Sequence, residues 1–218
     1  MFDPLSYLMG AKAAGGGGGG GGSDAVPSGY TRVLYAIVSN GNGIDTGITV
    51  SDKITVEAAF MSKDMGNTMF VIGPGYGFIG ISAKQNDLSA YMKTKSATKS
   101  GAYGAFNDKA WDIIVDKTGM SVNGEKIAFQ SDVPEFIESA TVTLFVNNST
   151  LTSQSNAFGG KCFYVGIWDG EEKVRNFVPA VRDADGICGL YDTVGGAFYV
   201  SGGPTNYSAG PEINTLVF

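Results

Sequence analysis

The chain has 218 residues and sets 15 lysines and arginines against 21 aspartates and glutamates, for a net charge of -6. It contains no histidine, which removes Ser-His and Cys-His nucleophiles and histidine metal ligands. No run of lysine or arginine supplies the basic stripe that nucleic-acid binding needs.

The first segment is a short apolar peptide, Met1-Phe-Asp-Pro-Leu-Ser-Tyr-Leu-Met9. It passes through Gly10-Ala-Lys-Ala-Ala14 into an unbroken glycine run, Gly15 to Gly22. Glycine has no side chain to bury and loses the most backbone entropy on ordering, so such a run reads as a tether. As a coil it reaches about 15 Å, and fully extended just under about 30 Å. Phe2, Pro4, Leu5, Tyr7, Leu8 and Met9 form the candidate anchor. Phe2, Leu5, Leu8 and Met9 fall at near-helical spacing, with Pro4 permissible in a first turn. A segment so short holds no helix alone in water, so it is expected to order on docking into a partner. Ala11-Lys-Ala13 resembles a signal-peptidase site, but no positive charge precedes it and Asp3, Pro4 and Ser6 break the apolar run. That composition makes a poor secretory signal, and no stretch has the length of a membrane span. The expected divisions are an anchor peptide at 1–14, a linker at 15–29 and a body at 30–218.

Only 17% of the residues are charged and 33 are glycine, a balance that favours an all-β body with many tight turns. Ile54, Val56, Ala58 and Phe60 alternate with Thr55, Glu57, Ala59 and Met61, which predicts a strand. Met69 to Ile72 and Tyr76 to Ile81 read as short strands around Gly73-Pro-Gly75, and Leu88 to Lys93 as another. Lys95 to Gly101, small and polar, reads as a loop. Trp111, Ile113 and Val115 share one strand face, and Asn123-Gly124 supplies a hairpin turn in which both positions tolerate positive φ. Pro134 to Glu138 is the one expected helical turn. Val142, Leu144 and Val146 mark a further strand. Phe163, Val165 and Ile167 are expected on the face opposite Tyr164 and Trp168. Asp169-Gly170 then turns the chain into an antiparallel return from Val174 to Val181, and Asp185-Gly186 makes the next turn. With no helix long enough for a crossover, the fold class is all-β, a two-sheet antiparallel jelly-roll sandwich. Cys162 and Cys188 are 26 residues apart in the numbering, without CxxC spacing; two reduced core thiols and one inter-strand disulfide are both open readings.

Several segments resemble a known family. Pro27-Ser-Gly-Tyr-Thr-Arg-Val-Leu-Tyr35 with Ile44-Asp-Thr-Gly47 is similar to the opening of concanavalin A-like (LamG-type) jelly-roll domains. These occur in phage virion proteins and gut-bacterial surface proteins. Trp111 to Asp116 followed by Val122-Asn-Gly-Glu125 resembles the family's tryptophan strand and hairpin. Gly166-Ile-Trp-Asp-Gly170, Val174-Arg-Asn-Phe-Val-Pro179, Asp185-Gly-Ile-Cys-Gly-Leu-Tyr-Asp192, Phe198-Tyr199 and Gly210-Pro-Glu212 follow in the family's order. The chain departs from it at Ala36 to Asn42. The anchor peptide is similar to the short apolar, glycine-followed N-termini of phage minor structural proteins. Together these resemblances imply a virion structural protein, made in a bacterial host cytoplasm and present as a homo-oligomer or in many copies in an assembly. Its anchor would grip a capsid, portal, neck or tail protein, and its body would meet the host surface. A carbohydrate-binding surface module of a bacterium is the alternative.

The residues themselves bear on three chemistries. A glucanase-type site would carry alternating carboxylates on one strand, and hydrolysis needs two carboxyls about 5 to 9 Å apart. Glu171-Glu172, Asp183-x-Asp185 and Glu135-x-x-Glu138 offer no such pattern, so no catalytic residue is expected. Arg182-Asp-Ala-Asp-Gly186 faintly suggests a calcium loop through Asp183 and Asp185, but it lacks the later bidentate glutamate, so a plain turn and no cofactor are expected. Tyr76, Tyr91, Tyr103 and Trp168 are the candidate glycan-stacking aromatics, with Tyr103 in the Gly101-Ala-Tyr-Gly104 loop. Trp111 and Trp168 are expected in the core, because large aromatics bury large areas.

Overall fold

The computed structural model describes residues 25–38, 43–62, 80–84, 87–93, 95–100, 109–145, 158–202 and 206–213. The anchor residues Phe2, Pro4, Leu5, Tyr7, Leu8 and Met9, the glycine run, Met69 to Ile72 and the candidates Tyr76 and Tyr103 lie outside them.

The described body is all-β and antiparallel, with its strands in two layers. The larger sheet runs in the order β10 (Glu125–Ala128), β9 (Gly119–Val122), β8 (Ala110–Asp116), β4 (Ile54–Ser62), β12 (Gly160–Asp169), β13 (Glu172–Arg182), β14 (Ile187–Asp192), β15 (Ala197–Tyr199). Three short strands join it off this path. β1 (Tyr30–Arg32) pairs with β13, β2 (Ala36–Val38) with β12, and β16 (Ser208–Ala209) with β2. The facing layer consists of β3 (Ile44–Ser51) paired with β11 (Ile137–Leu144), and the meander β5 (Gly80–Lys84), β6 (Asp87–Met92), β7 (Lys95–Ser100).

Alternation places the main core between the layers. Val56, Ala58 and Phe60 of β4 meet Ile113 and Val115 of β8, Val165 and Ile167 of β12, and Phe177 of β13. From the facing layer come Ile44, Val50, Val142, Leu144, Leu88, Ala90 and Met92. Burying each such side chain contributes about 1.5–3 kcal/mol before entropy is counted. The outer face of the large sheet holds a second, smaller cluster of Ala59, Phe163, Tyr164, Val178, Ala180 and Tyr191. Val26, Tyr30, Leu34, Tyr35 and Phe198 pack over it, so the segment that follows the linker roofs this face.

The turns fall where residue chemistry requires. Asn123 (φ 49°) and Gly124 (φ 86°) close the β9–β10 hairpin in the left-handed region, as their identities predict. Gly170 (φ 61°) begins the β12–β13 return. Trp111 packs against the main core, as expected.

Three expectations fail, each for a local reason. Lys95 to Ser100 forms β7 rather than a loop, paired along its whole length with β6. Pro134 to Phe136 forms no helical turn and leads into β11 at Ile137. The reason is the turn after β3, where Asp52 N donates to Phe136 O (3.2 Å) and Phe136 N donates to Asp52 Oδ1 (3.2 Å). Phe163 does not share a face with Val165. A register shift against β4 between Cys162 and Tyr164 puts Phe163 and Tyr164 together in the outer cluster, the re-aiming that a β-bulge produces.

That shift sits where the sheet forks. Up to Cys162, β12 pairs with β2; from Val165 it pairs with β13. The segments at the two ends of the described chain are zipped into the fork. Val33 bridges Glu212, Leu34 N donates to Pro211 O (2.8 Å), and Gly210 N donates to Tyr35 O (2.8 Å). The sandwich is therefore polar. At one end Tyr30 pairs with Arg182, and Asp183 N donates to Gly29 O (2.9 Å), so the linker joins there. From Lys173 to Arg182, β13 spans about 30 Å at the strand rise. The opposite end carries the Asp169–Glu172 turn.

Candidate functional site

Of the predicted glycan aromatics, the described residues include Tyr91 and Trp168. Leu88, Ala90 and Met92 of β6 are buried, whereas Tyr91 is half-buried on the other face, opposite Gly80 and Ser96. Beside it on that face, the hydroxyls of Ser89 and Thr98 are 3.0 Å apart. The position is a surface tyrosine on a small-residue meander.

The Asp183–Asp185 loop is built as a turn. Arg182 binds Asp185 through Nε (3.1 Å to Oδ1) and Nη2 (2.6 Å to Oδ2), and Asp185 Oδ1 accepts the Ile187 amide at 3.2 Å. The Arg182 hydrogen bond holds the Asp185 carboxyl below its ordinary range. Asp183 Oδ1 accepts from the Thr31 hydroxyl at 2.8 Å. The chain's own donors thus meet both carboxylates. Among the described residues, no group of three acidic, cysteine or histidine side chains is placed to hold a metal ion.

Both cysteines are free and buried. Burial pushes the Cys162 thiol up to about 12 and the Cys188 thiol up to about 11. Cys188 bridges Tyr207, whose phenol is also raised by burial and by the two thiols. At neutral pH these are uncharged packing groups, not nucleophiles.

A polar seam joins the two layers. Arg175 donates from Nε (3.2 Å) and Nη2 (3.0 Å) to the Thr46 carbonyl of β3, and its Nε stands 3.4 Å from Asp192 Oδ2. Asp192 is fully buried, and its Oδ1 accepts the amides of Asn176 (2.9 Å) and Val194 (3.1 Å). This seam holds β13, β14 and the facing β3 in register.

A further cluster of aromatic and polar side chains lies on the outer face of β12 and β13 around Trp168, which the sequence offered both as core and as a stacking candidate. Trp168, expected in the core, belongs to neither apolar cluster and is half-buried. Tyr164 and Trp168 flank Gly166, where a Cβ would come within 2.4 Å of the Tyr164 hydroxyl and 2.7 Å of the Trp168 ring. Glycine at 166 is what allows the two aromatics to close over the backbone. Across the turn, Lys173 sets its ammonium 4.7 Å from the Trp168 ring centroid and 5.7 Å from that of Tyr164. The same ammonium donates to Tyr164 Oη and Asn176 Oδ1, both at 3.2 Å. Glu57 of β4 lies opposite Gly166, and Thr55 opposite Trp168. A readable signal existed. The Asp169-Gly170 turn makes residues 168 and 173 cross-strand partners, which sets a lysine against a tryptophan.

Chemically, the outer-face cluster offers an indole, an ammonium and an amide at one end of the sheet. No family model matches the chain, and no curated protein matches it.

Proposed function

We propose that this chain is a structural protein of a bacteriophage virion. Its apolar peptide 1–14 anchors it to a capsid, portal, neck or tail protein, and its sandwich is displayed for attachment to the host surface. The body resembles the concanavalin A-like jelly-roll domains of such proteins in the segments named above. Its place of action is the assembled particle, with several copies displayed together.

The observation that carries this reading is the division of labour along the chain. The body closes a core between its own two layers, and the described segment 25–35, which spans the end of the linker and the start of the body, is fixed to that body. Among the described residues the core is built from strands of the body, and we read the apolar peptide before the glycines as serving a partner. A glycine spacer long enough to hold the sandwich about 15 to 30 Å from a surface suits display.

Deleting residues 2–14 tests the reading directly. The expected result is a folded body, with native circular dichroism and unchanged melting, that no longer enters purified particles. Normal incorporation of the deleted chain would overturn it.

A further inference from the structure

We propose a further function for the body: it bears tension, and β1 is the clamp through which load on the tether passes into the sheet. The direction of load comes from the display reading above, on which this function rests. The resistance to that load comes from strand register alone.

Strand β1 runs antiparallel to β13, with Tyr30 against Arg182 and Arg32 against Ala180. The tether side of β1 therefore lies at the Arg182 end, while the β12–β13 turn lies at the opposite end of β13. A pull on the tether, against a hold at that turn, draws the two strands past each other along their length. The cross-strand bonds are then strained together, and none can open ahead of the rest. Forced unfolding is governed by its barrier, so bonds that share load resist far better than bonds that fail in turn.

The clamp is short but densely bonded. Asp183 N donates to Gly29 O (2.9 Å) and Val33 N to Pro179 O (3.1 Å). Thr31 and Val181 lie midway between these two bonds, so the alternation of an antiparallel ladder makes them a pair that exchanges both bonds. The Thr31 hydroxyl adds a bond to Asp183 Oδ1 at 2.8 Å. The Tyr30 ring stands 4.9 Å from Tyr191 and 5.1 Å from Phe198, centroid to centroid, so sliding must also part packed aromatics. Before β1, Tyr30 N donates to Pro27 O (3.3 Å) in a turn that straightens first and hands the load to Gly29.

The neighbouring segments have the opposite geometry. Strand β2 turns back, with Ala36 against Cys162 and Val38 against Gly160, so tension that has passed β1 reaches it end-on and peels it. The segment 208–212 pairs antiparallel with 33–37, from Ser208 against Ile37 to Glu212 against Val33. A pull between the tether and the C-terminal side loads Val33 and Glu212, which are neighbours at one end of that ladder. Its bonds, Leu34 N to Pro211 O and Gly210 N to Tyr35 O, then open one after another.

Single-molecule pulling on the full chain tests the clamp. Handles attach through Ser23→Cys and Glu171→Cys for the sliding geometry, and through Ser23→Cys and a cysteine added after Phe218 for the peeling one. Glu171 is exposed, and the two native thiols are buried away from the handles. At one loading rate, the first opening of the sandwich is expected at a force about twofold or more higher in the sliding geometry. Thr31→Pro removes one amide donor from the clamp. It should lower the sliding force and leave the peeling force unchanged, with melting of the variant checked. A sliding force no greater than the peeling force would overturn the clamp, and that comparison stands even if Thr31→Pro does not fold. An unchanged sliding force in folded Thr31→Pro would overturn it as well. Neither measurement bears on particle incorporation, so anchoring and load-bearing fail separately.

Discussion

Strand β13 carries two arginine–aspartate pairs whose surroundings are opposite. Arg175 reaches Asp192 inside the sandwich, where the aspartate is fully buried and also accepts two backbone amides. Arg182 grips Asp185 on the surface, three residues away, with three hydrogen bonds and both side chains more than a third exposed. The surface pair has the better hydrogen-bond geometry. It nonetheless holds less, because water and salt stand ready to replace either partner. The interior pair is longer, at 3.4 Å, yet its removal leaves polar groups with no such replacement.

The largest effect is therefore expected at Asp192. Asp192→Ala strips acceptors from the Asn176 and Val194 amides and leaves Arg175 without its counter-ion. A loss of about 3–5 kcal/mol is expected in denaturant unfolding, the range for breaking a buried pair. Asp192→Asn keeps one acceptor oxygen, so its loss should be smaller. Equal losses in the two variants would mean that the charge, not the amide bonds, holds the seam.

Gly195→Ala probes the same seam without removing a partner. Its Cβ would lie 2.4 Å from Asp192 Oδ2, and that carboxylate is pinned by two amides and cannot swing aside. Overpacking of this kind costs about 1–3 kcal/mol. A neutral result would show that the 192–196 turn is softer than its hydrogen bonds imply.

Much of this frame was legible in the sequence, and the reasons differ by element. The Asn123-Gly124 and Asp169-Gly170 turns were readable because glycine and asparagine tolerate positive φ, and they fix the hairpins around them. Strand β4 was readable because alternate residues are large, apolar and buried. Strand β7 was not, because Ala97 is its one residue in the main core and its register comes from β6. The pairing of Ile37 with Ser208 was hidden for another reason: no local pattern marks contacts so distant along the chain. The site was half legible. The turn sets Trp168 against Lys173, but an apolar alternation continues on both faces of β12 and so cannot tell the core face from the outer one.

The buried titratable groups extend the comparison to alkaline pH. Cys162 and Cys188 are raised by burial to about 12 and about 11, against an unfolded thiol near 9. Below the unfolded value both states are protonated and the thiols contribute no slope. Above it the unfolded chain loses protons that the folded chain keeps, so stability falls as pH rises through roughly 9 to 12. Unfolding midpoints should be flat to about pH 8 and then decline, with a shallower decline in the Cys162→Ala, Cys188→Ala double variant. In the native protein neither thiol should react with an aromatic disulfide reagent at neutral pH unless denaturant is present. Rapid labelling of folded protein would contradict the packing around Tyr207.

The smallest effect belongs to the surface pair. The Arg182 hydrogen bond lowers the folded pKa of Asp185, so whatever stability it adds is present above the unfolded carboxyl value and disappears as pH falls through the lower folded one. Asp185→Asn should therefore differ from the parent chain at neutral pH and low salt, and converge with it in acid. Both side chains are solvent-exposed, so salt at about 0.5 M should also close the gap by screening. Asparagine still offers an oxygen to the Ile187 amide, so a gap that survives both acid and salt would show that the Arg182 ion pair is not what sets it. Mutating Asp185 at high salt thus separates a structural turn from a charge contact, a distinction that the buried pair, beyond the reach of salt, does not offer.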